Sequence, residues 1–181
     1  LLLHALGRSP HDRAWLLAHD SDPLPPEDAA RWQAFALRRQ AGEPVAYLLG
    51  EKEFGGLTLQ VDARVLVPRP DTEVLVEWAL EALPAPGGPE APRLLDLGTG
   101  SGCIALALKA ARPDCTLSAV DRSADALAVA FANGERLGLA VAWLHGSWFA
   151  PLGSRRFDLI VSNPPYIASA DLSQLQPQAR H

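Results

Sequence analysis

From residue 93 to residue 162, short apolar runs alternate with helical stretches, and this alternation restricts the fold more than any other feature of the chain. The spacing predicts strands over 93–97, 116–120, 141–144 and 157–162, with helices over 102–111 and 124–137 between the earlier ones. Strands joined by helices of this length make βαβ units. Their sheet is parallel, and ligands collect at the carboxyl ends of the strands. The expected class is α/β and Rossmann-like.

The chain upstream of this alternation reads differently. Residues 1–42 are expected to be helical. A short helix holds Trp15-Leu16-Leu17, and a longer one opens at Pro25-Pro26. Glu27 and Asp28 in its first turn and Arg38 and Arg39 in its last complement the helix dipole, and Gly42 is placed to stop it. Two β-like runs, 51–54 and 57–61, flank Gly55-Gly56, a hairpin signal. Val65-Leu66-Val67 reads as a third β-like run. Residues 72–83 are predicted to form an amphipathic helix with Val74, Leu75, Trp78, Ala79 and Ala82 on or near one face. Pro84, Pro86, Gly87, Gly88, Pro89 and Pro92 mark a linker. Four segments are therefore expected: 1–42 helical, 43–83 hairpin and connecting helix, 84–92 linker, and 93–181 the α/β domain.

Composition narrows the class of function. Among the 181 residues, no apolar run approaches the ~18 needed to cross a bilayer, so a soluble, unexported protein is expected. Residues 1–83 hold 8 basic and 13 acidic groups, and residues 84–181 hold 8 of each. That balance argues against direct nucleic-acid binding or a membrane surface. Cys103 and Cys115 have no partner cluster, and His4, His11, His19, His145 and His181 are scattered, so neither a disulfide nor a metal site is expected and a reducing cytoplasm is. The chain has no Met and opens on Leu1-Leu2-Leu3 in what reads as mid-helix, which suggests a fragment.

Two motifs point to chemistry. In Leu94-Leu95-Asp96-Leu97-Gly98-Thr99-Gly100-Ser101-Gly102, a strand runs into a glycine-rich turn that opens a helix, offering a ligand close approach and free N–H groups. The third glycine falls one place early for a dinucleotide fingerprint, and Asp96 suits a cationic amino-acid head better than a pyrophosphate. Asp121, ending the next strand, is placed to accept from ribose hydroxyls. The second motif is Ser162-Asn163-Pro164-Pro165-Tyr166. Consecutive prolines fix extended backbone and leave carbonyls as acceptors. Asn163 and the Pro164 carbonyl suit one planar NH2 group, with the Tyr166 ring against its flat face.

Asp96, the three glycines and Asp121 resemble the S-adenosylmethionine site of Rossmann-like methyltransferases. Asn-Pro-Pro-Tyr resembles the motif of those that modify planar nitrogens: glutamine side chains, adenine or guanine. Upstream, Glu43-Pro44-Val45-Ala46-Tyr47-Leu48-Leu49-Gly50, Phe54-Gly55-Gly56-Leu57 and Pro68-Arg69-Pro70-Asp71-Thr72-Glu73 are similar to the release factor glutamine methyltransferases, the HemK/PrmC family. The resemblance runs through nearly the whole chain. It implies a small helical substrate-recognition domain, a hairpin connection and a catalytic domain whose last strands lie beyond His181.

The resemblance further implies methyl transfer from S-adenosylmethionine, leaving S-adenosylhomocysteine, to the glutamine amide nitrogen in the Gly-Gly-Gln motif of peptide chain release factors, a role in translation termination. Cofactor-binding positions would be Asp96, Gly98, Thr99, Gly100, Ser101, Gly102, Asp121, Trp148 beside the adenine, and Asn163. Asn163, Pro164 and Tyr166 would be catalytic and, with Pro165, would bind the substrate glutamine. Arg69 and Glu73 would lie at the pocket mouth or brace the hairpin against the helix. A cytoplasmic monomer is expected. The competing expectations are an amino-methylating enzyme of adenine or guanine in nucleic acid, a ribosomal-protein glutamine methyltransferase, and a cofactor-binding module without catalysis.

Overall fold

The computed structural model describes residues 1–87 and 91–164. The N-terminal part is helical: α1 (Leu2–Ala5), α2 (Arg13–Ala18) and α3 (Pro26–Gln40). Pro26 pre-sets the helical φ at the first position of α3, and Glu27 and Asp28 face its positive end. A five-residue helix, α4 (Val45–Leu49), follows Pro44 and was not expected from the sequence. It is too short to show a helical period. What it contributes is burial of Tyr47 and Leu48.

The hairpin forms where expected, with β1 (Glu51–Phe54) antiparallel to β2 (Leu57–Gln60). Gly55 and Gly56 both take positive φ, 55° and 75°, the conformation a two-residue turn of matching twist demands. Residues 65–67, expected to be β-like, form no strand. Val65 instead plugs a cluster with Tyr47, Val61, Ala126 and Val129, and its carbonyl accepts from the Tyr47 hydroxyl at 2.6 Å. An apolar triplet with no strand partner serves as a plug rather than a ladder.

Helix α5 (Asp71–Ala82) buries the expected Ala79 and packs the expected Leu75 against the core, but otherwise departs from the expected face. Thr72, Val76 and Ala79, spaced by four and three, turn inward, while Val74 and Trp78 are exposed. A largely apolar helix has more than one plausible face, and the hydroxyl of Thr72 proves to have an interior partner.

The remaining elements alternate as read: β3 (Arg93–Leu97), α6 (Cys103–Ala111), β4 (Thr116–Asp121), α7 (Ala124–Leu137), β5 (Ala142–His145) and β6 (Leu159–Ser162). All strand pairs are parallel, in the order β5-β4-β3-β6. The chain moves outward from β3 through β4 to β5 and then returns to the other side of β3. The direction therefore reverses at the β3–β6 pair, and a crevice opens at their carboxyl ends. Ser123 caps α7 by accepting from the Ala126 amide at 3.1 Å.

The main core joins Leu94, Leu117, Ala119 and Val161 on one sheet face to Ile104, Leu106 and Leu108 of α6 and to Val76 and Ala79 of α5. Phe54 and Leu59 of the hairpin belong to the same cluster. The hairpin is therefore packed into the core of the α/β unit. On the opposite sheet face, Leu152 and Phe157 pack with the strand residues Leu95, Leu97, Val120 and Leu144. Among the described residues, no helix is long and apolar enough to cross a membrane, and no group of three or more His, Cys, Asp or Glu is placed to hold a metal ion.

Candidate functional site

The loop after β3 is a bonded scaffold built from both neighbouring strands. The Gly98 and Thr99 amides both donate to the Val120 carbonyl of β4, at 2.8 and 3.1 Å. Gly100 N donates to Asp121 Oδ2 at 2.9 Å, and Ser123 N to Asp121 Oδ1 at the same distance. Asp121 thus fixes the glycine loop and the start of α7 while remaining partly exposed at the strand tip. Its unused lone pairs stay available to a ligand. The Gly146 amide donates to the Asp121 backbone carbonyl at 3.0 Å, which brings the loop after β5 to the same place.

Gly102 is the position in the loop where a side chain would be both crowded and strained. Its φ is 82°, and a Cβ there would lie 3.0 Å from Trp143 and 3.2 Å from Ala130. The α6 N-terminus can approach α7 and β5 this closely only because that atom is missing.

Asp96 has no exposed surface. Its Oδ2 accepts from Thr99 Oγ1 at 2.6 Å, while Oδ1 is buried without a hydrogen bond. Burial raises this carboxyl to about 6, with the Thr99 hydroxyl and the Ala105 amide pulling the other way and the Asp121 charge adding to the rise. The Ala105 N–H lies near enough to favour the anion without meeting hydrogen-bond geometry. Burial also pushes the neighbouring Cys103 thiol up to about 12, so it is no nucleophile at neutral pH.

Across the switch point, Ser162 Oγ donates to the Leu97 carbonyl at 2.8 Å, joining the end of β6 to the residue before the glycine loop. Asn163 follows, and its Nδ2 donates to Thr72 Oγ1 at 2.9 Å. Asn163 and Pro164 therefore stand at the carboxyl end of β6, beside the loop 98–102. Pro165 and Tyr166 lie outside the described residues. Trp148 is exposed, with a φ of 49°, in the loop that follows β5. A tryptophan in left-handed backbone carries strain, which marks the position as constrained by its loop.

Sequence reasoning missed two residues that organise this region. Thr72 is one. The other is Asn133, fully buried on α7. Its Oδ1 accepts from Gln60 N at 2.7 Å, and its Nδ2 donates to the carbonyls of Gln60 (3.0 Å) and Ser101 (3.1 Å). It ties the hairpin to the glycine loop. The available signal was an amide in mid-helix on a face otherwise occupied by Ala126, Val129 and Ala130. Arg136 of α7 reinforces the tie by donating to the Thr58 carbonyl. Glu73 accepts from the Gly55 amide at 3.3 Å and so braces the hairpin turn, while Arg69 is exposed and offers its carbonyl to the Thr72 amide.

Comparison with known proteins accords with this architecture. A family model described as methyltransferase small domain matches residues 72–177, and one described as PrmC N-terminal domain matches residues 1–50. The release factor glutamine methyltransferase of Bordetella pertussis is 53% identical over 178 residues, covering 98% of this chain and 64% of the relative. That of Geobacter sulfurreducens is 48% identical over 180 residues, covering 99% and 61%. This chain thus spans a little over three fifths of the length of these curated relatives. A SAM-dependent methyltransferase from Agrobacterium tumefaciens superposes with a TM-score of 0.53 at 21% identity, over 64% of this chain and 39% of that one, a likeness of fold. The parallel sheet with its crevice at the β3–β6 reversal is what such a fold requires, and the chain belongs to the methyltransferase small domain family.

Proposed function

We propose that the protein transfers a methyl group from S-adenosylmethionine to the side-chain amide nitrogen of the glutamine in the Gly-Gly-Gln motif of peptide chain release factors. The observation that supports this most is the placement of Asn163 and Pro164 at the carboxyl end of β6, tied through Ser162 to the glycine loop of β3. An acceptor pair for a planar NH2 group stands beside a loop built to receive a cofactor. The names of relatives 48–53% identical to the chain point the same way.

The residues present fit this cofactor. The orphaned Asp96 Oδ1, buried at the end of β3, is an acceptor in want of a donor, and a cationic amino group supplies one. Asp121 retains lone pairs for ribose hydroxyls, and Trp148 offers an aromatic face for the adenine. Gly98, Thr99, Gly100, Ser101 and Gly102 would line the methionine part. The cofactor, when bound, supplies a methyl group activated by a sulfonium sulfur.

The remaining work falls to the chain's own groups. An amide nitrogen is a poor nucleophile because its lone pair is delocalised into the carbonyl. Acceptance of its two N–H bonds by Asn163 Oδ1 and the Pro164 carbonyl orients that lone pair and stabilises the positive charge that grows on nitrogen. Holding the reactants in line contributes roughly 7–11 kcal/mol toward the barrier. The scheme needs no general base before transfer; once the N–C bond has formed and the S–C bond has broken, the charged nitrogen gives up one proton to water, leaving a neutral methylated amide. The test is Asn163→Ala. Loss of one preorganised partner typically costs about 2.7–4 kcal/mol, so labelled-methyl transfer to the release factor should fall roughly 10²–10³-fold with cofactor binding retained. Wild-type rates in the variant would refute the mechanism, and undiminished labelling of a factor with its Gly-Gly-Gln glutamine replaced would refute the substrate.

The helical segment before residue 42 shares no core cluster with the cofactor loop. It serves in this scheme to dock the protein substrate. Substituting its exposed Leu17 and Leu37 by Ser should raise KM for the release factor and leave cofactor affinity alone. An unchanged KM would remove that role.

A further inference from the structure

We infer that Thr72 is a positioning residue, anchoring the Asn163 side-chain amide through Nδ2 so that Oδ1 is left for the reacting NH2 group; this rests on the proposed glutamine chemistry. Thr72 is the second residue of α5 and is only 6% exposed. Its backbone amide is already satisfied by the Arg69 carbonyl at 3.0 Å, and its Oγ1 receives Asn163 Nδ2 at 2.9 Å across 91 positions of sequence. No other side-chain hydrogen bond crosses from α5 to the loop after β6 among the described residues.

The two ends of an asparagine amide are nearly the same size, so packing alone does not choose between them. The partners at both ends decide it together, since a threonine hydroxyl can accept from Nδ2, as here, or donate to Oδ1 of the flipped amide. With Nδ2 engaged by Thr72, Oδ1 is the end left for a ligand. Rotated by half a turn, Asn163 would present its own NH2 to the substrate's NH2, donor against donor. That geometry forms no hydrogen bond and stabilises no positive charge on nitrogen. A substrate NH2 at the other end favours the arrangement seen here, and Thr72 then anchors the amide by accepting from Nδ2.

The same helix start shows why the segment 68–73 is built as it is. Pro70, at the N-cap, leaves Asp71 as the first helical residue, so Thr72 points inward and Glu73 reaches the hairpin turn at Gly55. Glu73 anchors the helix start on one side and Thr72 uses that anchored position on the other. The hydroxyl is thereby delivered to the β6 loop from an element with its own independent support. A residue that only filled space here would be as well served by valine.

The test compares Thr72→Val, Thr72→Ser and Asn163→Ala in the full-length protein, with S-adenosylmethionine and release factor as substrates. Thr72→Val should lower kcat roughly 10–100-fold, as removal of a group that orients a site residue does, with cofactor Kd and KM for the factor within about twofold. Thr72→Ser, which restores the hydroxyl, should return kcat to within about threefold of wild type. Adding Thr72→Val to Asn163→Ala should cost nothing further, because the group it positions is gone. A second measurement needs no turnover: the Asn163 side-chain NH2 resonances, assigned by their loss in Asn163→Ala, should shift in Thr72→Val and hold in Thr72→Ser. Thr72→Val at wild-type kcat beside an impaired Asn163→Ala overturns the positioning role alone. Equal impairment of Val and Ser, or NH2 resonances indifferent to Thr72, also overturns it. A fully active Asn163→Ala overturns the glutamine chemistry on which it rests.

Discussion

Asn133→Ala is the substitution whose cost the structure defines best. The side chain is fully buried and makes three hydrogen bonds, one from Gln60 N and two to the carbonyls of Gln60 and Ser101. At about 1 kcal/mol net for each bond, their loss amounts to about 3 kcal/mol, and the vacated volume works in the same direction. For a chain of this size, each kcal/mol moves the melting midpoint by about 2–4 °C, so Tm should drop by about 6–12 °C. Urea denaturation and calorimetry measure the global loss. Amide hydrogen exchange measures the local one, since the Gln60 N–H loses its acceptor and should exchange faster. Cofactor affinity should weaken as well, because Ser101 belongs to the glycine loop. Asn133→Asp separates charge from shape. It keeps an acceptor for Gln60 N but turns a second carboxylate oxygen toward two carbonyls. It should therefore be less stable relative to wild type at pH 7 than at pH 4, where protonation restores a donor. A change in unfolding free energy within about 0.5 kcal/mol for Asn133→Ala, the range of an ordinary surface substitution, would refute the stapling role.

Asp96 predicts a dependence of stability on pH. Burial raises its carboxyl from 3.8 to about 6, so the native state holds the proton more tightly than the unfolded chain. The resulting stabilisation, on the order of 3 kcal/mol, is complete below about pH 3.8 and is lost as pH rises through about 6. The gap in unfolding free energy between wild type and Asp96→Asn should consequently narrow or reverse from pH 4 to pH 7 in urea titrations; a constant gap would show that Asp96 does not titrate there. Asp121→Ala removes the acceptor for Gly100 N and Ser123 N as well as the proposed ribose contacts, and at about 0.5–1.5 kcal/mol for each of two lost ligand bonds cofactor affinity should fall roughly 5–150-fold. Calorimetry showing unchanged affinity would remove Asp121 from the cofactor site.

The local elements were legible wherever one residue's neighbours in sequence decide its conformation. Gly55-Gly56 supplies the two positive φ angles that a tight hairpin needs. Ser123 caps α7, and its boundaries at Ala124 and Leu137 are those the apolar period predicts. The alternation from Arg93 to Ser162 implied parallel βαβ pairing, because a helical crossover is the connection that a parallel pair needs. The errors arose where a contact distant in sequence overruled a local tendency. Val65-Leu66-Val67 has strand-forming residues but no edge to pair with, so Val65 fills a hole beside Tyr47 and Ala126. Helix α5 turns Thr72 inward and leaves Trp78 exposed, contrary to its apolar pattern, because the cluster that receives it is built by Leu94, Ile104 and Val161.

By itself, the sequence singled out the residues proposed to meet a ligand: the Asp96–Gly102 loop, Asp121 at the next strand tip and the Asn163-Pro164 pair are read from local motifs whose chemistry lies in their own composition. Only the tertiary structure decided how those motifs are held. Thr72 meets Asn163 across 91 positions, and Asn133 meets Gln60 across 73. A threonine at a helix start and an asparagine in mid-helix have no local signature of the partner they will find. Their hydrogen bonds exist because sheet order β5-β4-β3-β6 and hairpin packing bring distant backbone together in a buried, low-dielectric setting where an unpaired polar group is costly.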